Sequence, residues 1–177
     1  MRISDDRYSR DRLRLDVALQ FIRHEARTRT IREWTGLSGD RVRKLYREYL
    51  GSGGQRLPRH RGKSPRQCAW FMRSSRLRHE ASTFAAICSL LGLLGRRAPG
   101  APGALADGAA LCQAYDAYLS LVSRPAIGFE HAVLLLEALS RGDELRCRRC
   151  HGCGGLTVVE AYALPDSLCS GCAAPPR

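Results

Sequence analysis

Two pairs of cysteines, Cys150 with Cys153 and Cys169 with Cys172, are the residues of this 177-residue chain best spaced to do chemistry. Each is a C-x-x-C pair, a spacing that forms a tight turn with two thiolates on one side, and fifteen residues separate the pairs. Two such turns brought together close a tetrahedral four-sulfur site for one zinc ion and leave no open position for a substrate. The expected role is structural. Cys147-Arg148-Arg149-Cys150 is an overlapping C-x-x-C. The 150/153 pairing is preferred because Gly154 and Gly155 follow it, and small residues there let backbone N–H groups turn toward sulfur. Cys147 and His151 stand as alternative ligands. A redox dithiol is the rival reading, disfavoured because such motifs usually stand alone at a helix start in an α/β fold. Five of the eight cysteines fall between Cys147 and Cys172, which favours a metal site in a reducing compartment over a secreted disulfide framework. Cys68, Cys88 and Cys112 sit alone in apolar or helical surroundings and are expected to be buried free thiols.

Charge is the second signal. The chain carries 29 Lys+Arg against 17 Asp+Glu, a formal net charge of +12, which points to a polyanionic partner. Residues 1 to 79 hold 21 basic and 8 acidic residues, net +13, whereas residues 80 to 177 sum to −1. The front half therefore carries the electrostatics. Only Lys44 and Lys63 are lysines; arginine forks suit phosphates and base edges, although a GC-rich genome would also favour arginine codons. No signal core opens the chain and no run of about eighteen apolar residues occurs, so a soluble, cytoplasmic protein with no membrane partner is expected.

The elements that must position these residues read as mainly α. Residues 11 to 26 form one amphipathic helix with Asp11 as its cap. Two short helical patterns then flank Gly36-Leu37-Ser38, with Gly51 ending the second, which makes a helix-turn-helix-like segment. Ile31, Leu37, Val42 and Leu45 fall where such a segment needs apolar locks. Arg32 stands where a small residue is usual, and Thr35 stands at a normally apolar site. The second helix offers Arg41, Arg43, Lys44 and Arg47 outward for guanine edges and phosphates; a solvated basic helix in an ordinary bundle is the plainer account. Residues 51 to 67, rich in Gly, Pro and basic residues, read as a long loop that brings Arg59, Arg61 and Lys63 toward the same DNA. From Cys68 to Gly95 a helical pattern returns, with Trp70, Phe71, Phe84, Ile87, Leu90, Leu91 and Leu94 available for a core. Residues 109 to 123 and 128 to 140 read as two more helices, the second largely buried. Leu156 to Tyr162 has the β-branched content of a short strand. The division expected is a helical DNA- and partner-binding region, 1–140, and a zinc-binding segment, 141–177, which has too few apolar residues to order itself without metal.

Several strings together resemble the bacterial flagellar transcriptional activator FlhC family. They are Arg43-Lys44-Leu45-Tyr46-Arg47-Glu48 with Gly51 and Leu57-Pro58, Trp70-Phe71-Met72, His79-Glu80-Ala81-Ser82-Thr83-Phe84, Ala114-Tyr115-Asp116-Ala117-Tyr118-Leu119, and the cysteine pairs. They occur in the family's order over roughly residues 10 to 173. The resemblance implies a mostly helical subunit with a four-cysteine zinc site on Cys150, Cys153, Cys169 and Cys172. It also implies assembly with FlhD into a hetero-oligomer that binds double-stranded promoter DNA, works with RNA polymerase and activates flagellar operons. Cys147 departs from the pattern as an added thiolate, as does Leu156, where an aromatic is expected. No catalysis is expected, because no Ser/His/Asp set, paired acidic site or phosphate-cradling glycine loop stands out. The alternatives are a zinc-ribbon RNA-binding protein and an assembly subunit without direct base readout.

Overall fold

The computed structural model describes residues 2–53, 64–95, 104–164 and 168–173. Six α-helices and a two-stranded sheet lie among them, in agreement with the mainly helical expectation. The chain divides into two compact units, Met1–Ser64 with Arg97–Cys112 and Pro65–Arg96 with Gln113–Arg177.

In the first unit, α1 (Arg2–Arg23) begins earlier than its apolar pattern indicates. Asp11 is not its cap but an interior residue paired with Arg14 at 3.1 Å. Arg and Asp tolerate a helix without producing any apolar period, so periodicity alone sets the start too late. Val17, Ala18, Phe21 and Ile22 fall on one face and are fully buried. The helix stops where Glu25 turns left-handed at φ 59°. Ala26 N–H there donates to Phe21 O at 2.9 Å and Glu25 N–H to Ile22 O at 3.0 Å, satisfying carbonyls the helix end leaves open.

Next come α2 (Thr28–Thr35) and α3 (Gly39–Gly53), joined by Gly36-Leu37-Ser38. Gly36 takes φ 69° and donates to Arg32 O at 2.9 Å, a left-handed position that a Cβ would strain. Leu37, Ile31 and Val42 are buried as expected, and Leu45 is half-buried. Thr35 is buried because its hydroxyl is served twice, donating to Ile31 O at 2.5 Å and accepting from Leu37 N at 3.3 Å. Arg32 is exposed, so its bulk does not hold the helices apart. Ser38 Oγ accepts from Arg41 N at 3.3 Å at the start of α3. Tyr46 O–H donates to Ala26 O, tying α3 to the α1–α2 corner. α3 continues past Gly51, the expected terminus, to Gly53; a glycine can end a helix but need not. Most of the expected basic loop, with Arg59, Arg61 and Lys63, lies outside the described residues. The first turns of α5 (Ala104–Leu121) complete this unit, with Gly108 set against Val17, Phe21 and Trp34.

The second unit is built on α4 (Ser75–Leu90), capped by Ser74, whose side chain accepts from Leu77 N at 3.1 Å. Glu80, Ala81, Phe84, Ala85 and Cys88 form its buried face. A 3-10 turn at Cys68–Met72 precedes it and buries Phe71, while Trp70 stacks on His131 with centroids 4.1 Å apart. Leu90 and Leu91, expected in the core, are 87% and 40% exposed. The chain leaves the helix at that point and the left-handed Gly92 swings Leu93 inward instead. The rest of α5 and α6 (Phe129–Arg141) supply the remaining core, α6 being buried along most of its length. Glu80 is the one acid buried here among the described residues, and its carboxylate accepts from Tyr118 Oη at 2.5 Å, Ala126 N at 2.8 Å and Arg76 Nε at 2.8 Å. Burial pushes this carboxyl's pKa up, but the Tyr118, Ala126 and Arg76 donors outweigh it and hold the group below its ordinary value.

Two antiparallel strands follow, β1 (Leu145–Arg149) and β2 (Leu156–Glu160), with Cys147 opposite Val158. The outer side of β2 is covered by α4, where Ser82 Oγ accepts from Val158 N at 3.0 Å. Two of the metal-ligand candidates, Cys150 and Cys153, lie in the turn between these strands.

Candidate metal centre and basic helix

Cys150 directly follows β1, and the chain turns back on itself before β2. Cys150 N donates to Gly155 O and Gly154 N to Cys150 O, both at 2.8 Å. Gly154 adopts φ 71° to allow it. The second turn closes through Ala173 N to Cys169 O at 2.9 Å. Together the turns bring the sulfurs of Cys150, Cys153, Cys169 and Cys172 within 4.8 Å of one another. Cys153 and Cys169 lie 3.8 Å apart, the edge of about 3.8 Å that a tetrahedron with metal–sulfur bonds near 2.3 Å requires. None of the four is in a disulfide.

Backbone amides point at two of these sulfurs. Cys169 N donates to Cys150 Sγ at 3.2 Å and Cys172 N to Cys169 Sγ at 3.4 Å. The Cys169 amide foremost, then that of Cys153, pulls the Cys150 thiol down to about 6, against the effect of its burial. Cys172 is pushed up to about 12 by its hydrogen bonds to Cys169, Cys153 and Cys150: packed sulfurs share protons when no cation neutralises them. A soft divalent ion that replaces those protons fits the donor set. The glycines make the space, since a Cβ on Gly152 would stand 3.0 Å from Cys172 Sγ.

The two alternative ligands stay out of the group. Cys147 lies within β1, where burial raises its thiol to about 11. His151 is exposed beside Cys150 and is not among the four grouped ligands. The other single cysteines are buried as expected; desolvation lifts Cys68 to about 11 and Cys88 to about 12. Sequence reasoning missed the residues around the sulfurs. Arg149 Nη1 donates to Gly154 O at 3.2 Å, and Arg148 Nη1 donates to Ala163 O and Leu164 O, both at 2.9 Å. An arginine in a short charged strand gives no sequence signal of such a role.

In the first unit Arg41, Arg43, Lys44 and Arg47 are all exposed on α3 while Val42 and Tyr46 are buried, so four cations share the outward side. Arg43 pairs with Asp40, whose carboxyl it holds below the ordinary value by a side-chain hydrogen bond and its charge. Lys44 reaches Glu48 at 3.7 Å. These exposed pairs are weak and open readily to a polyanion.

No helix among the described residues is long and apolar enough to cross a membrane. A family model described as flagellar transcriptional activator (FlhC) matches residues 8–177. No curated protein matches the chain.

Proposed function

The chain belongs to the flagellar transcriptional activator (FlhC) family, and from that membership we propose that it is the DNA-binding subunit of a cytoplasmic activator complex formed with FlhD. The complex acts on the double-stranded promoters of flagellar operons, in concert with RNA polymerase, and carries out no catalysis. One observation carries the reading: a family match over nearly the whole chain coincides with four sulfurs grouped within 4.8 Å at its C-terminal end.

Cys150, Cys153, Cys169 and Cys172 hold one zinc ion, which when bound neutralises the thiolates and fixes the two turns together. The amides of Cys169 and Cys172 stabilise the ligand sulfurs, and β1 and β2 carry the turns on α4. On α3, Arg41, Arg43, Lys44 and Arg47 approach the duplex, with Arg59, Arg61 and Lys63 of the following segment neutralising further phosphates. The net +13 of residues 1 to 79 supports that assignment.

Co-expression with FlhD, followed by metal analysis and footprinting on a flagellar promoter at two salt concentrations, tests this. The expected result is one zinc per chain and promoter protection that weakens steeply with salt. Protection no better than on random duplex would refute it, as would stronger competition by single-stranded RNA than by duplex.

A second reading, an assembly role in which the partner reads the bases, draws support from exposed apolar side chains. Tyr162 and Leu164 are 92% and 81% exposed between β2 and the second turn. DNA binding that survives joint substitution of Arg41, Arg43 and Arg47 but needs FlhD would favour it.

A further inference from the structure

Arg148 and Arg149 occupy the middle of Cys147-Arg148-Arg149-Cys150, a string that by spacing alone competes for the metal. Their side chains do something else. Successive residues of a strand point to opposite faces, so adjacent arginines at the end of β1 reach two different segments. Arg149 Nη1 donates at 3.2 Å to the carbonyl of Gly154, the left-handed residue that lets the first cysteine turn close. Arg148 Nη1 donates at 2.9 Å to the consecutive carbonyls of Ala163 and Leu164, on the stretch leading from β2 toward Cys169. One arginine therefore grips the turn that carries Cys150 and Cys153, and its neighbour grips the Ala163-Leu164 stretch that leaves β2. Arg146, the third arginine of β1, donates to Gly142 O at 2.8 Å, at the opposite end of the strand from the sulfurs.

Resting on the assignment of the four cysteines as metal ligands, we propose that Arg148 and Arg149 are positioning residues of the metal centre, Arg149 bracing its first cysteine turn and Arg148 fixing the Ala163-Leu164 stretch beside β1. The turns belong to different stretches of chain, and Cys153, Gly154 and Cys172 are exposed. Hydrogen bonds from a charged donor to main-chain carbonyls are strong and directional. Holding the first turn and the stretch that leaves β2 from one strand end lowers the ordering that ion capture must otherwise accomplish, and slows the opening through which an ion escapes.

The test is the rate of zinc transfer from the full-length protein, prepared with its co-expressed partner, to a chromogenic chelator. Arg148→Gln and Arg149→Gln should each raise that rate several-fold, less than the roughly 10-fold to 100-fold loss of affinity that follows removal of a group bonded to a ligand itself. Arg148→Lys keeps the charge but not the planar fork, and should fall between wild type and Arg148→Gln. Arg146→Gln removes an equal charge and should release at the wild-type rate. In cobalt-loaded protein the ligand-field bands should shift in Arg148→Gln and Arg149→Gln and not in Arg146→Gln, a signature that general loss of stability does not produce. Wild-type rates and spectra in both glutamine variants would overturn the proposal, as would equal acceleration in Arg146→Gln. Wild-type protein that holds no metal would take down the centre itself, an outcome visible before any variant is made.

Discussion

The amide of Cys169 donates to the sulfur of Cys150 at 3.2 Å, so the first residue of the second cysteine turn stabilises the first thiolate of the other. That amide foremost draws the Cys150 thiol down to about 6, whereas hydrogen bonds to the neighbouring sulfurs push Cys172 up to about 12. Metal uptake at neutral pH must therefore expel protons from the thiols of the group. Thiols bind metal as thiolates, so affinity should rise as pH is raised from 6 to 8. Calorimetry in buffers of different ionisation enthalpy measures the protons released; a pH-independent affinity would contradict the arrangement.

Gly152 faces Cys172 across the two turns. Gly152→Ala places a methyl 3.0 Å from that sulfur and should spread the ligand group, lowering metal affinity about tenfold or more. Gly171→Ala is the matched control, because its Cβ would meet Cys169 Sγ at an ordinary 3.9 Å. Competition with a chelator of known affinity compares the two.

Glu80 should matter to stability far more than its exposed neighbours. Glu80→Gln cannot accept as a carboxylate from Tyr118, Ala126 and Arg76 and should cost about 1 to 3 kcal/mol, with Tyr118→Phe costing about 1 kcal/mol. Because the folded pKa is depressed, this stabilisation is fully present above the unfolded value of about 4.3 and disappears as pH falls through the folded one. Thermal melts at pH 7 and at pH 3.5 should show wild type losing more than Glu80→Gln. Equal losses would mean that the carboxylate contributes nothing special.

Packing around Gly108 in the first unit gives a fourth test. A Cβ there would lie 3.1 Å from Val17 Cγ1 and 3.4 Å from Trp34. Gly108→Leu should destabilise by about 1 to 3 kcal/mol through overpacking, despite the better helix propensity of leucine. Chemical denaturation with tryptophan fluorescence reads this directly, since Trp34 is one of the residues displaced.

On α3, Arg47→Ala and Arg41→Ala distinguish a side chain that meets a phosphate from one that meets a base. In the first case truncation should lower the slope of log affinity against log salt by about 0.9 without changing sequence preference. In the second it should cost about 1 to 3 kcal/mol on the promoter alone. Filter binding on promoter and random duplex over a salt series tells them apart. No change in either variant would remove α3 from the interface.

Spacing made the cysteine group legible, because a C-x-x-C turn is a local device and its glycines are local too. The α2–α3 corner was legible for the same reason: Gly36, Leu37 and Val42 lie within seven residues of one another. β1 was not, since Leu145-Arg146-Cys147-Arg148-Arg149 has no alternating apolar face and is a strand only because β2 and α6 supply its partners. Glu80 was equally silent. Its donors Tyr118 and Ala126 are 38 and 46 residues away, and no window on the sequence joins them. Leu90 and Leu91 misled for a related reason, as the helical period that places them inward ends where the chain turns at Gly92.

The protonated state of the isolated cysteines has a practical corollary. Cys68, Cys88 and Cys147 are held at about 11 to 12 within the fold, where neither alkylating reagents nor peroxide find a nucleophile at neutral pH. Ligand sulfurs are thiolates when a metal is bound, and of the four grouped cysteines Cys153 and Cys172 are exposed, so with the proposed metal in place electrophiles meet the C-terminal sulfurs first. Oxidative injury would therefore register as ejection of the proposed zinc, long before the helical interior is touched.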